Sequence, residues 1–423
     1  MARSGKAGTV AFGQETYDGQ FQRTLSASYA GMADLGEAFA TAREIGKPDP
    51  ERWYNAWFGR AEAVRASAEA AAAAQDRASA RGAFLRAAEY YRQAYFFLRR
   101  DLDDPSLRRA YAAQVGAFTA AVELFDTPVE TLAVPYQGTT LKAYFFAPDG
   151  SGAPRPTVLA PCGYDSTAEE GLVFVTGALE RGYNAVVFEG PGQGAALYRD
   201  RLWMRPDFEV VLTPVVDLVA ARPDVRADRL VLIGRSFGGY LAPRAAAFEH
   251  RIAALVCDPA QPDLGARVPQ GPAGVIAPLI VAAQMRVSVD RREFFGARLA
   301  VHGLTKVSAY FTELRRYTLL DVADRIACPT LVVECEGDFV GGGGPALIAA
   351  MTHAPTTLVE LTAAQGAGGH CGGLGQRVWD QVVYDWLATV LPAEPPDEPD
   401  GPPDGPDEDR RGGQGTNPEV RAT

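Results

Sequence analysis

"VLIGRSFGGYLAPRAAAFEH" (Val231–His250) holds an apolar run that stops at Gly234, a lone serine at position 236, two glycines, and an alanine-rich segment with helical character. Gly234-Arg235-Ser236-Phe237-Gly238 fits G-x-S-x-G. In that pattern the serine stands on a strand-to-helix turn so tight that the flanking positions must lack side chains. "RLVLI" supplies the strand and "YLAPRAAAFEH" the helix, with Pro243 early enough in it to be tolerated. The competing reading is a small residue where a strand packs on a helix. The rest of the chain decides between them.

Outward from this stretch, "TLAVPY", "LKAYFFAP", "PTVLAP", "NAVVFEG", "RLVLIG", "AALVCD", "PTLVVEC" and "TTLVEL" read as strands. After an opening hairpin, helical stretches separate them. That rhythm predicts an α/β protein with a mostly parallel sheet covered on both faces. Between Asp263 and Asp321 the rhythm breaks, so about 263–320 is expected to be a helical insertion over the sheet's edge. Residues 1–129 read as a helical domain. In "ARGAFLRAAEYYRQAYFFLRRD", Phe84, Leu85, Ala88, Tyr91, Tyr95 and Leu98 recur at three- and four-residue steps, as helix packing requires. Residues 130–391 form the expected catalytic domain. Residues 392–423 are Pro-, Asp- and Gly-rich with few apolar side chains, and are expected to be disordered.

The chain has 423 residues, 47% of them hydrophobic, and a formal charge of −11 without any basic block, which argues against nucleic acid. Cys162, Cys257, Cys328, Cys335 and Cys371 are scattered without metal-ligand spacing, so free thiols in a reducing compartment are expected. The start lacks an apolar stretch long enough for a signal peptide. No run approaches the ~18 apolar residues of a membrane span. The expectation is a cytoplasmic protein with a small-molecule substrate, no membrane or nucleic-acid partner, no cofactor and no metal.

A serine hydroxyl needs a base within hydrogen-bond reach, and the base needs a carboxylate to orient it. On such a sheet the partners follow in the order Ser, Asp/Glu, His. Of four histidines, His250 ends the helix after the serine, His302 lies in the insertion, and His353 lies in a link. His370 lies in "TAAQGAGGHCGGLGQ", the glycine-rich loop between a strand and the last helix, where the base belongs. Asp338 follows "PTLVVECEG" and is the expected acid, with Glu334 and Glu336 as competitors and helix capping as its alternative role. For an oxyanion hole the backbone N–H groups of Phe237 and Tyr164 are the candidates, the latter in "PTVLAPCGYDSTAEE". Asp165 and Ser166 read as caps of the helix that follows. Gly190-Pro191-Gly192-Gln193-Gly194-Ala195 matches G-x-G-x-x-A, yet Pro191 removes an N–H that a phosphate cradle wants. It reads as a tight loop near the site.

These motifs resemble those of α/β-hydrolases with an N-terminal helical cap that group around 2,6-dihydropseudooxynicotine hydrolase and the fungal polyketide-shortening hydrolases, with FrsA-like proteins more distant. "WYNAWFGRAEAV", "CGYDSTAEE", "FEGPGQG", "GRSFGGYLAPRAAAFEHRIAAL", "EGD" and "GAGGHC" carry the likeness, over roughly Arg52 to Leu391. It implies the α/β-hydrolase fold, with the helical domain and the insertion together capping the site. It implies Ser236, Asp338 and His370 as a triad, and a homodimer. It implies carbon–carbon bond hydrolysis of a β-dicarbonyl as one chemistry. Ester hydrolysis and elimination of an acyl group use the same machinery. Some members use an extra carboxylate, for which Asp263 is the candidate. "EGDFVGGGG" departs from the family in its glycine content. The aromatic residues Trp53, Tyr54, Trp57, Tyr90 and Tyr91 suggest an aromatic or polyketide-like substrate; no substrate-binding residue is identified. A rival class is a non-catalytic binding protein on the same fold.

Overall fold

All eight β-rich runs become strands in the computed structural model, which describes residues 10–392. The tail from 393 onward, expected to be disordered, lies outside the described residues. The strands are β1 (Val129–Tyr136), β2 (Thr139–Phe146), β3 (Arg155–Pro161), β4 (Asn184–Phe188), β5 (Val225–Arg235), β6 (Ile252–Asp258), β7 (Thr330–Cys335) and β8 (Thr356–Leu361). They form one sheet in the order β1-β2-β4-β3-β5-β6-β7-β8. β2 is antiparallel to β1 and β4, and every other pairing is parallel. The β1–β2 turn uses Gln137 and Gly138, both at positive φ (39° and 82°), as a two-residue hairpin turn requires.

Central strands such as β4 are buried at every position, which is why they read as unbroken apolar runs. Successive residues face opposite sides of the sheet. Val158, Val231 and Val256 enter one core, and Leu159, Leu232 and Leu255 the other. The first core is shared. It continues into Trp53, Trp57, Tyr90 and Phe118 of the N-terminal helices, and into Trp379 and Val383 of the last helix, Gln376–Val390. Four N-terminal helices begin on an aspartate whose side chain accepts backbone N–H bonds: Asp34, Asp49, Asp76 and Asp104. Pro50 and Pro105 occupy the first turn behind two of these caps.

Trp53, Trp57, Tyr90 and Tyr91 are fully buried in that core. Trp53 Nε1 donates to the Gln93 carbonyl at 2.8 Å, and the Tyr90 hydroxyl to Glu37 at 2.8 Å. Their aromatic content reflects helix packing, so the substrate class drawn from it loses its basis.

The break in rhythm is the expected helical insertion, between β6 and β7. It holds the helices Gly271–Val287, Val289–Val301 and Val307–Leu314, and an isolated bridge between Asp263 and Thr318 ties its base. The first of these helices buries only Pro278, while Val275, Ile276, Leu279, Ile280 and Val287 are all more than half exposed. No helix among the described residues is long and apolar enough to cross a membrane. The five cysteines are free and buried.

Candidate active site

β5 ends at Arg235, Ser236 follows, and the helix Gly238–Ala246 begins two residues later. Ser236 takes a positive φ of 57°, a strained conformation for a residue with a side chain. The turn is held by short backbone bonds. Ser236 N–H donates to the Asp258 carbonyl at 2.7 Å, and Ser236 O accepts from Gly239 N at 2.9 Å. The crowding falls on only one of the two motif glycines. A Cβ at Gly234 would lie 2.1 Å from Gly238 O, and one at Gly239 would lie 1.8 Å from Pro259 O. A Cβ at Gly238 would meet nothing nearer than 3.9 Å. The close approach thus requires Gly234 and Gly239. Pro243 cannot donate to Gly239 O four residues back, and Gln261 N–H takes that carbonyl instead, at 3.0 Å.

At the carboxyl ends of β7 and β8 the structure brings Asp338 and His370 to this serine. Ser236 Oγ lies 2.8 Å from His370 Nε2. His370 Nδ1 lies 2.9 and 3.0 Å from the two Asp338 oxygens. The Asp338 side chain is fully buried and also accepts from the backbone N–H of Val340 (3.0 Å) and Cys371 (3.2 Å). Its competitors are engaged elsewhere. Glu334 receives Gly342 and Gly344 N–H, both at 2.7 Å, and so ties the glycine-rich loop. Glu336 receives Ala363 N–H at 2.8 Å. His250 and His353 are exposed.

Burial works to lower the His370 pKa, while Cys371 and the Asp338 carboxylate raise it, and the net result lies well above the ordinary imidazole value. Burial pushes the Cys371 thiol up, so that group is neutral at pH 7 and the carboxylate carries the effect. Beneath the pair, Cys371 Sγ lies 3.1 Å from Ser236 N. Arg235 donates to the Cys371 carbonyl at 2.6 Å and stacks on Trp379, 4.3 Å from its ring centre. Burial raises the Asp258 pKa to about 6; its Oδ2 accepts from Trp379 Nε1 at 2.6 Å. Arg235, Cys371, Asp258 and Trp379 thus form a floor under the serine and histidine. Sequence pattern does not reveal it, because the members lie on β5, β6 and the last helix and its preceding loop.

The loop after β3 passes close to the nucleophile turn. A Cβ on Gly163 would lie 3.4 Å from Ser236 Cβ. Neither the Tyr164 nor the Phe237 N–H has a hydrogen-bond partner among the described residues. The Tyr164 ring packs edge-on against Phe237 at 4.6 Å, and its hydroxyl bonds to His302 Nε2. Burial and then Arg298 push the His302 pKa down to about 3, so that imidazole is neutral. Asp165 and Ser166 do not cap the following turn as expected. Thr167 and Glu170 do, with Glu170 accepting from Thr167 N–H at 3.0 Å. Asp165 instead binds Arg99 (2.5 Å) and, through both oxygens, Arg298 (2.6 and 2.9 Å). Ser166 Oγ accepts from Arg23 at 2.9 Å. The four aspartate caps upstream already occupy their helix starts, and here two arginines outcompete a cap for one carboxylate. Asp263 lies outside the cluster; its Oδ1 accepts from Ala266 N at 3.1 Å, which makes it a turn cap. Phe339, 73% exposed, lies against the His370 ring at 5.0 Å, an apolar neighbour that no sequence motif marks.

A family described as FrsA-like, esterase FrsA-like, matches residues 51–268, a stretch that includes Ser236 and ends before Asp338 and His370. The hydrolase acrC of Aspergillus aculeatus is 36% identical over 258 residues, 56% of this chain and 60% of that protein. The 20-hydroxy-prefusarin hydrolase FUS2 of Gibberella moniliformis is 38% identical over 256 residues, 58% of this chain and 61% of that protein. The chain spans about 60% of the length of the curated relatives it matches. Among solved structures, 2,6-dihydroxy-pseudo-oxynicotine hydrolase superposes with a TM-score of 0.71, at 24% identity, over 86% of this chain and 95% of that one. AbyA5 superposes with a TM-score of 0.59, at 20% identity, over 84% and 90%.

Proposed function

The chain belongs to the FrsA-like esterase family and has the α/β-hydrolase fold, and from that premise we propose that it is a serine hydrolase acting on an activated carbonyl of a small metabolite. The observation that carries this reading is the hydrogen-bonded chain from Ser236 Oγ through His370 to the buried Asp338 carboxylate. His370 Nε2 accepts the Ser236 proton as Oγ attacks the carbonyl carbon. Asp338 holds Nδ1–H and stabilises the imidazolium. The Phe237 and Tyr164 N–H groups receive the charge that develops on the carbonyl oxygen.

The bond cut is the carbon–carbon bond of a β-dicarbonyl. Its electron pair leaves as an enolate, which His370 protonates. Water, deprotonated by the same imidazole, then attacks the acyl–Ser236 ester and releases the acid. The N-terminal helical domain and the insertion about 263–320 cap this site. The family's esterase description supports a second reading, in which the leaving group is an alcohol.

A fluorophosphonate probe tests the nucleophile. Mass spectrometry is expected to find the adduct on the Ser236 peptide, and to find none in Ser236→Ala or His370→Ala. A folded wild-type protein that takes up no probe sinks the reading in favour of a binding protein. Turnover of a β-diketone set against an aryl ester, with products identified, decides between the two bonds.

A further inference from the structure

The stretch that mimics a dinucleotide motif, Gly190–Ala195, has a different use. We infer that Gln193 is the positioning residue of the oxyanion hole, fixing the peptide whose N–H is Tyr164's; the inference rests on the serine-hydrolase reading above.

Gln193 is almost wholly buried. Its Nε2 donates to the Gly163 carbonyl at 3.1 Å and to the Cys162 carbonyl. Its Oε1 accepts from Gly190 N–H at 2.7 Å, so the carboxamide has one orientation that satisfies all three partners. In a trans peptide the C=O and N–H point in opposite directions. With Gly163 O drawn to Gln193, the Tyr164 N–H faces away from Gln193. The same loop runs against the Ser236 turn at Gly163. One amide thus sets the direction of a donor that it does not touch.

Gln193 itself has no latitude. Gly192 has a φ of 85°, and a Cβ there would lie 2.7 Å from Met204 Cβ. A Cβ on Gly190 would lie 2.9 Å from the Phe208 ring. At the other end of the oxyanion loop, Glu189 accepts from Ala168 N–H at 3.0 Å while holding Ala195 N–H at 2.7 Å. The 162–168 segment is therefore braced from both ends by one loop. A donor held in place before charge develops needs no reorganisation at the moment of reaction. Without Gln193, two buried carbonyls lack their partner, and the Gly163–Tyr164 peptide is free to turn toward another donor.

The test compares wild type with Gln193→Met, which keeps the volume and loses the donor, and Gln193→Glu, which replaces the donor by an acceptor. Three quantities are read on folded protein: the rate of Ser236 labelling by the fluorophosphonate probe, kcat and KM for 4-nitrophenyl acetate, and the affinity for phenylboronic acid, whose tetrahedral adduct sets an oxygen in the hole. Labelling rate, kcat and boronate affinity are expected to fall together by about 100-fold, the scale of a lost oxyanion donor, with KM within about threefold. A lowered thermal midpoint with all three within threefold of wild type means that the amide is a structural brace only, and overturns the inference. If neither variant folds, the structure of the wild-type boronate adduct decides. An adduct oxygen bonded to Tyr164 N–H, with Gly163 O still on Gln193, supports the inference; an oxygen bonded elsewhere overturns it. A wild type that takes no probe overturns the hydrolase reading itself, and this inference with it.

Discussion

His370 must be neutral to take a proton from Ser236, and the Asp338 carboxylate beside it favours the charged form. The raised pKa therefore moves the acid limb of the pH–rate profile upward. kcat/KM is expected to rise with pH through a value above the ~6.5 of free imidazole. In Asp338→Asn the limb is expected to shift downward and kcat to fall by roughly 10⁴-fold, the scale set by losing the carboxylate that fixes the imidazole tautomer. Rate profiles of the two proteins on one ester check both. Ser236, Asp338 and His370 could be picked out in the sequence because their order and their places after successive strands are one-dimensional facts. Gln193, Arg235 and His302 could not. Arg235 meets the carbonyl of Cys371, 136 residues away, and His302 meets Tyr164 from within the insertion, 138 residues away. Nothing local distinguishes these from ordinary polar residues.

At the scale of elements, the glycines of the nucleophile turn have separable roles. Gly239→Ala drives a methyl group into the Pro259 carbonyl and is expected to cost at least about 3 kcal/mol or to prevent folding. Gly238→Ala has room, and is expected to stay within about 1 kcal/mol of wild type, because alanine also favours the helix. Urea denaturation of the two variants distinguishes them. The second element-level feature is the Asp165 tether between Arg99 of the N-terminal helices and Arg298 of the insertion. Asp165→Asn leaves two largely buried guanidinium groups without their carboxylate, and is expected to cost about 3 kcal/mol at pH 7. The arginines outweigh burial and depress the Asp165 pKa well below its ordinary value. The advantage of wild type is therefore full above about pH 4, the unfolded-state value, and shrinks as pH falls through the depressed one. Thermal melts from pH 3 to 7 measure the difference. The central strands were legible because their apolar runs alternate with helical stretches, as buried parallel strands do, while β1 and β2 were legible as an opening hairpin. The tether was not, since an aspartate before a helix reads locally as a cap.

Across the whole molecule, one core joins the N-terminal helices to a face of the sheet. Trp53, Trp57 and Tyr90 belong with Val158, Val231 and Trp379. A chain of residues 129–392 uncovers that face, and is expected to be insoluble or molten where the full chain is soluble and folded; expression yield and near-ultraviolet dichroism decide. Thermal unfolding of the full chain is expected to show a single transition, by calorimetry and by loss of probe labelling together.

The helix Gly271–Val287 stands outside this core: Pro278 is the only residue it buries, and its inner side, Ala277, Val281, Ala282 and Met285, rests half-buried on a small cluster within the insertion. Changes on its outer face, at Val275, Ile276, Leu279, Ile280 and Val287, touch no packed neighbour, and such changes leave stability within about 0.5 kcal/mol. A lineage of such proteins can therefore alter this face step by step without first acquiring a compensating mutation. That face is free to drift while the nucleophile turn and its floor stay fixed, which makes the outer edge of the insertion the place where descendants of this chain can diverge first.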